Sequence, residues 1–169
     1  MKSVFLCMAT LLLSFCITQP AWSASNPDHI DPCALIEKEK MMAAFPAIKA
    51  MEKQTIGPNT TCNYLNDKGF SALIISAGRA DHRDALKALA GMGDGYSYKP
   101  VSGLGDSAAV AVTKPDPKLG ITGGSVAELH VITKRSFVNL APVRLKVQAG
   151  SPAFTGLKQL AAEMATKLP

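Results

Sequence analysis

The sequence predicts a single α+β domain in which an antiparallel sheet is packed by N-terminal, middle and C-terminal helices and stapled by one disulfide. Three observations carry this reading. Alternating apolar and polar residues mark strands in the second half of the chain. Apolar residues three or four apart mark a long helix at the C-terminus. Two cysteines survive the removal of an export leader.

The leader opens with Lys2 and an apolar run over 4–17, followed by Pro20-Ala21-Trp22-Ser23-Ala24. That order is a secretory signal peptide. The run falls short of the roughly 20 residues a membrane span needs, and the small residues Ala21 and Ser23 suit cleavage after Ser23 or a residue or two later. The chain then divides into a signal peptide over 1–23, a polar leader over 24–30 and one domain over 31–169, in the periplasm or secreted, with no transmembrane segment after cleavage. Cys16 after Leu13-Ser14-Phe15 raises the alternative of a lipidated chain; Phe15 opposes it, because a small residue normally precedes a lipidated cysteine.

Cleavage removes Cys7 and Cys16 and leaves Cys33 and Cys62. In an exported chain two remaining cysteines most economically form one disulfide, with two buried free thiols as the alternative. Closing a loop of this length stabilises the fold by roughly 3.5 kcal/mol in the chain-entropy account. A zinc site needs more ligands than two cysteines and three scattered histidines supply. Neither a metal nor a cofactor is expected.

The formal charge is +5, and +4 once Lys2 is gone. This mild excess is compatible with weak attraction to anionic envelope polymers or lipid headgroups. No block of like charges marks a nucleic-acid tract, so nucleic acid is not an expected partner.

In chain order, Asp31-Pro32 reads as a helix start, since Asp accepts bonds from free N–H groups and Pro gives up a donor that was unpaired anyway. The helix is expected over 33–45, with a break near Glu37 as an alternative. Residues 46–60 look irregular, with a turn at Gly57-Pro58-Asn59. Strands over 61–65 and 70–76, joined by the Asn66-Asp67-Lys68-Gly69 turn, read as a hairpin. Asp81 is expected to cap a helix over 82–90 that ends at Gly91. Gly91-Met92-Gly93-Asp94-Gly95 follows that helix and does not open another, so it reads as a plain loop and not a phosphate cradle.

Residues 96–101 are extended, and Gly103 and Gly105 mark backbone positions of unusual dihedral or close packing. Strands follow over 107–113 and 126–133, separated by a proline- and glycine-bearing loop over 114–125 that is expected to be exposed and mobile. In the second of these strands Ala127, Leu129 and Val131 alternate with Glu128 and His130, as on a sheet with one packed and one wetter face. A strand over 137–140 runs into Pro142, which confines any continuation to an edge or bend. Ser151-Pro152 then starts the helix in which Phe154, Leu157, Leu160, Ala161, Met164 and Leu168 share one face and Glu163 pairs with Lys167. A membrane-surface role for this helix is the less favoured alternative, since its polar face is only modestly basic.

Asp31-Pro32-Cys33-Ala34-Leu35-Ile36, Cys62-Asn63-Tyr64, and Gly103-Leu104-Gly105-Asp106-Ser107-Ala108, followed by a C-terminal helix with Leu-Ala-Ala, resemble a bacterial family of exported domains. That family is best known as actinobacterial lipoproteins of unknown function with a D-P-C-x-L-L opening, a later C-x-[YW] and a G-L-G-D-x-A turn. The chain departs from it in lacking a lipobox, in Ile36 for the second Leu, and in Glu37 where a capping Thr is usual. The resemblance implies a disulfide between the two cysteines and an α+β domain with an antiparallel sheet. It implies no activity and carries over no catalytic residue.

No catalytic residue is assigned from the sequence. His29 sits in the leader and His82 reads as a surface residue. His130 shares a strand face with Glu128, and Arg144 or Lys146 on a neighbouring strand would complete a binding site or a proton-transfer pair. Two function classes follow. One is a non-enzymatic binding or accessory protein of the cell envelope, contacting an envelope component or protein partner; an inhibitor or immunity protein belongs with it. The other is a hydrolase-like enzyme using His130 with Glu128.

Overall fold

The computed structural model describes residues 30–57 and 59–169. The expected signal peptide and cleavage site, Cys7, Cys16, His29 and most of the expected polar leader lie outside the described residues. Asp31 caps a 3₁₀ turn at Pro32–Ala34, its Oδ1 accepting from the Cys33 N–H at 3.0 Å. The chain breaks at Glu37, and helix α1 spans Lys38–Ala44. The expected break near Glu37 is therefore the form adopted.

Seven strands follow: β1 at Ala50–Ile56, β2 at Asn59–Leu65, β3 at Ser71–Arg79, β4 at Tyr96–Pro100, β5 at Ser107–Thr113, β6 at Val126–Thr133 and β7 at Ser136–Ala141. They form one antiparallel sheet in the order β1-β2-β3-β7-β6-β5-β4. Two meanders, β1 to β3 and β4 to β7, thus lie side by side and join where β3 pairs with β7. The link between them must cross from the middle of the sheet to its far edge, and helix α2 at Ala85–Leu89 makes that crossing over β4, β5 and β6.

The two faces have different chemistry because successive side chains alternate sides. One face presents Cys62, Tyr64, Leu73, Ile75, Val131, Val138 and Leu140, all inaccessible to solvent. Helix α3 at Pro152–Thr166 and helix α1 close over it. Leu157, Leu160 and Met164 of α3 are buried there, and each fully buried side chain of this size contributes about 1.5–3 kcal/mol. Ser151 caps α3 through the Phe154 N–H, and Glu163 reaches both Lys167, at 3.6 Å, and Lys40 of α1, tying the two helices together. The opposite face carries Ala109, Ala111 and Ile132 under Ala85 and Leu89 of α2.

The disulfide joins Cys33 to Cys62 with Cα atoms 5.0 Å apart, fastening the N-terminal turn to β2 across 29 residues of sequence. Lys53 adds a bridge from β1 to Asp31 at 2.6 Å.

Four expectations are corrected. Residues 50–56 are a strand and not irregular chain: β1 pairs along its whole length with β2, from Ala50 opposite Leu65 to Ile56 opposite Asn59. The middle helix begins at Ala85 and its cap is Asp84, whose Oδ1 accepts from the Leu86 N–H; the Ala85 N–H is held by Ser107 Oγ at 3.0 Å, which fixes the start three residues beyond Asp81. That helix then tightens into a 3₁₀ turn at Ala90–Met92, past the expected stop at Gly91. The loop over 114–125 has internal order, with a 3₁₀ turn at Pro117–Leu119 capped by Asp116 and a bridge from Asp116 to Ile121.

Candidate functional site

Glu128 and His130 stand on the face that α2 half covers. Register places His130 opposite Ala109 on one side and Asn139 on the other, and Glu128 opposite Ala111. Beyond Asn139 the same row continues through Ser76, Thr61 and Gln54, so polar side chains cross from β6 to the β1 edge. This part of the face lies outside the α2 cluster.

His130 departs from the wetter environment its alternation implied. It is 8 % exposed and stacks on Phe137 with ring centroids 5.2 Å apart. Burial lowers its pKa below the ordinary value of 6.5, favouring the neutral imidazole. A stack across strands is invisible to the periodicity of one strand, because Phe137 comes from the next strand of the sheet.

Glu128 is half-buried. Burial raises its pKa above the ordinary carboxylate value, and a hydrogen bond from the Asn139 side chain partly offsets the rise. The Asn139 Oδ1 is itself buried without a hydrogen-bond partner, a polar atom held at a desolvation cost. On the other side, Tyr98 has its phenol pKa raised by burial first, then by the charges of Asp94, Tyr96 and Glu128, and its hydroxyl donates to the Gly93 carbonyl at 2.7 Å.

Arg144 and Lys146 lie in the irregular segment after β7, not on a neighbouring strand. Pro142 ends β7, and the chain then leans back on the sheet through bonds from Arg144 N–H to the Ala72 carbonyl and from Val126 N–H to the Val147 carbonyl. The result is a groove of about 600 Å³ walled by this segment on one side and by Met92 and Tyr96 on the other, with Glu128, Arg144 and Lys146 all on its lining. Three of the four residues singled out by sequence therefore share one groove; His130 is not on its lining. The Arg144 guanidinium donates to the Ser71 carbonyl at 3.2 Å and lies over Phe70, 5.0 Å from the ring centroid. That leaves the Lys146 ammonium as the groove's more adaptable cation.

Sequence reasoning missed Asn139, Tyr96, Met92, Ser125 and Gln148. The last two are on the groove's lining, with the Gln148 amide donating to Ser125 Oγ at 2.9 Å. The alternation around Asn139 was a usable signal, since it is a polar residue on the same face as His130. A second groove, of about 660 Å³, sits at the other end of the sheet between Thr61, Ser76, Phe137 and Asp81, and it takes in none of the expected site residues. Among the described residues no group of three or more His, Cys, Asp or Glu side chains is placed to hold a metal, and no helix is long and apolar enough to cross a membrane.

No family model matches the chain, and no curated protein or solved structure matches it either.

Proposed function

We propose that this chain is an exported, non-enzymatic binding or accessory protein of the cell envelope, and that it takes its ligand or partner in the groove that holds Glu128, Arg144 and Lys146. The observation that carries the reading is the groove's composition. An acidic side chain on the sheet floor faces cations on the wall, with an aromatic and a thioether opposite, which is a recognition surface with polar groups fixed at a few points. The carboxyl is kept in place at a desolvation cost, as expected of a group retained for contact and not for stability.

Proton transfer between His130 and Glu128 draws less support. The imidazole is packed against Phe137 and is not on the lining of the groove that Glu128 enters, and Ser125, one of the groove's hydroxyls, is engaged by Gln148. A nucleophile needs a base within hydrogen-bond reach. The disulfide supports an oxidising compartment, and the motif resemblance to exported lipoproteins points the same way.

The test is capture from an envelope extract on immobilised protein, wild type against Glu128→Gln and Lys146→Glu. A partner or ligand retained by wild type and lost by both variants supports the groove. Equal retention by all three overturns it, and turnover of an envelope substrate that depends on His130 would replace it with the enzyme reading.

A further inference from the structure

We infer that the end of the sheet carrying the loop over 114–125 docks on an anionic lipid surface. The inference rests on the envelope location proposed above but not on the identity of the groove's ligand. Register puts three segments at this one end: the β2–β3 turn, because Leu65 pairs with Ser71; the segment after β7, because Ala141 pairs with Ile74; and the β5–β6 loop, because Val112 pairs with Val126. The β2–β3 turn and the β5–β6 loop are about three strand spacings apart, or roughly 14 Å.

Four of the six exposed large apolar side chains among the described residues project from these segments: Leu119 at 73 % exposure, Phe70 at 54 %, Val143 at 50 % and Ile121 at 41 %. The loop that carries Leu119 and Ile121 is built to hold them out. Asp116 Oδ1 accepts from the Lys118 and Leu119 N–H groups, Asp116 and Ile121 bridge, and Gly120 closes the turn at φ 67°. An apolar pair on an ordered turn cannot fold back into the core.

Lys118 stands next to Leu119, Lys68 next to the Phe70 turn, and Arg144 next to Val143 and over Phe70 itself, so three of the four apolar protrusions have a cation beside them. Single apolar wedges alternating with cations suit the interface of a bilayer bearing anionic headgroups, where the side chain enters the acyl boundary and the cation meets phosphate. Separated wedges of this kind do not form the contiguous apolar patch that makes the fully buried core of a protein interface. The contact is reversible, since it rests on a few side chains and no spanning element.

Co-sedimentation with vesicles tests this. The protein as recovered after export is mixed with equimolar phosphatidylglycerol and phosphatidylcholine vesicles, and separately with phosphatidylcholine vesicles alone. Binding to the anionic vesicles is expected, weakened by salt and by omission of phosphatidylglycerol. Leu119→Ser with Ile121→Ser is expected to weaken it about tenfold or more, and Lys68→Glu with Lys118→Glu by about fivefold per charge or more. All four positions are exposed, so an unchanged thermal transition verifies that the variants are folded. No binding to anionic vesicles, equal binding without phosphatidylglycerol, or equal binding by folded variants overturns the inference. If partner capture at the groove persists while vesicle binding is absent, the lipid inference alone fails; if the reverse holds, the groove alone fails.

Discussion

The imidazole of His130 lies stacked on the ring of Phe137, the two planes 22° apart, with its strand neighbour Asn139 directly opposite. Charging that imidazole means charging a buried ring packed against an aromatic neighbour. The folded-state pKa lies below the ordinary value of 6.5, so the unfolded chain binds the proton first. Stability is full above the unfolded value and is lost as pH falls through it toward the folded one. Denaturant melts between about pH 7 and pH 5 should show this slope in wild type and a flatter one in His130→Gln.

Glu128 titrates in the opposite sense. Its folded pKa is raised above 4.5 by burial, so folding favours the protonated carboxyl and the cost of ionisation is borne at neutral pH. Glu128→Gln keeps a polar partner for Asn139 and removes that cost. The variant should be more stable than wild type at neutral pH, and the gain should vanish once pH falls below the ordinary carboxylate range. Parallel stability curves for the two proteins across pH would contradict the assignment.

Gly105 and Gly103 both have positive φ, 53° and 78°, but differ in surroundings. A Cβ on Gly105 would lie 2.4 Å from the Ile132 carbonyl oxygen, whereas Gly103 opens on free space. Gly103→Ala should cost about 1 kcal/mol, the left-handed penalty alone. Gly105→Ala should cost clearly more, at least about 2 kcal/mol, since the β6 backbone has to shift. Equal unfolding midpoints for the two variants would contradict the close approach.

The Cys33–Cys62 bridge closes a loop of 29 residues of sequence separation. Replacing both by Ala should lower the unfolding free energy by roughly 3.5 kcal/mol. The same bridge predicts no free thiol at these positions in protein denatured without reductant, and two after reduction, readable by thiol titration.

Much of the sheet is legible in the chain. β5 and β6 announce themselves because Val110, Val112, Leu129 and Val131 recur at the spacing of one packed face, and α3 because its buried residues recur at helical spacing. β1 leaves no such trace: Glu52, Lys53, Gln54, Thr55 and Ile56 are all exposed on an edge strand, so pairing with β2 and not pattern makes it a strand. The site was half legible. Glu128, Arg144 and Lys146 meet in one groove, but the fold of the segment after Pro142 decides that. The burial of His130 comes with its stack on Phe137 of the neighbouring strand, a cross-strand contact that the alternation of a single strand does not reveal.

In the proposed function, contact with the envelope is made through the groove and sheet end formed by residues 114–125 and 142–148. Amide hydrogen exchange of the protein with and without envelope fractions tests it most directly. Slowed exchange confined to those two segments and the β6 residues around Glu128 is the predicted result. Protection over the solvent side of α3, with 114–125 and 142–148 unchanged, would contradict it.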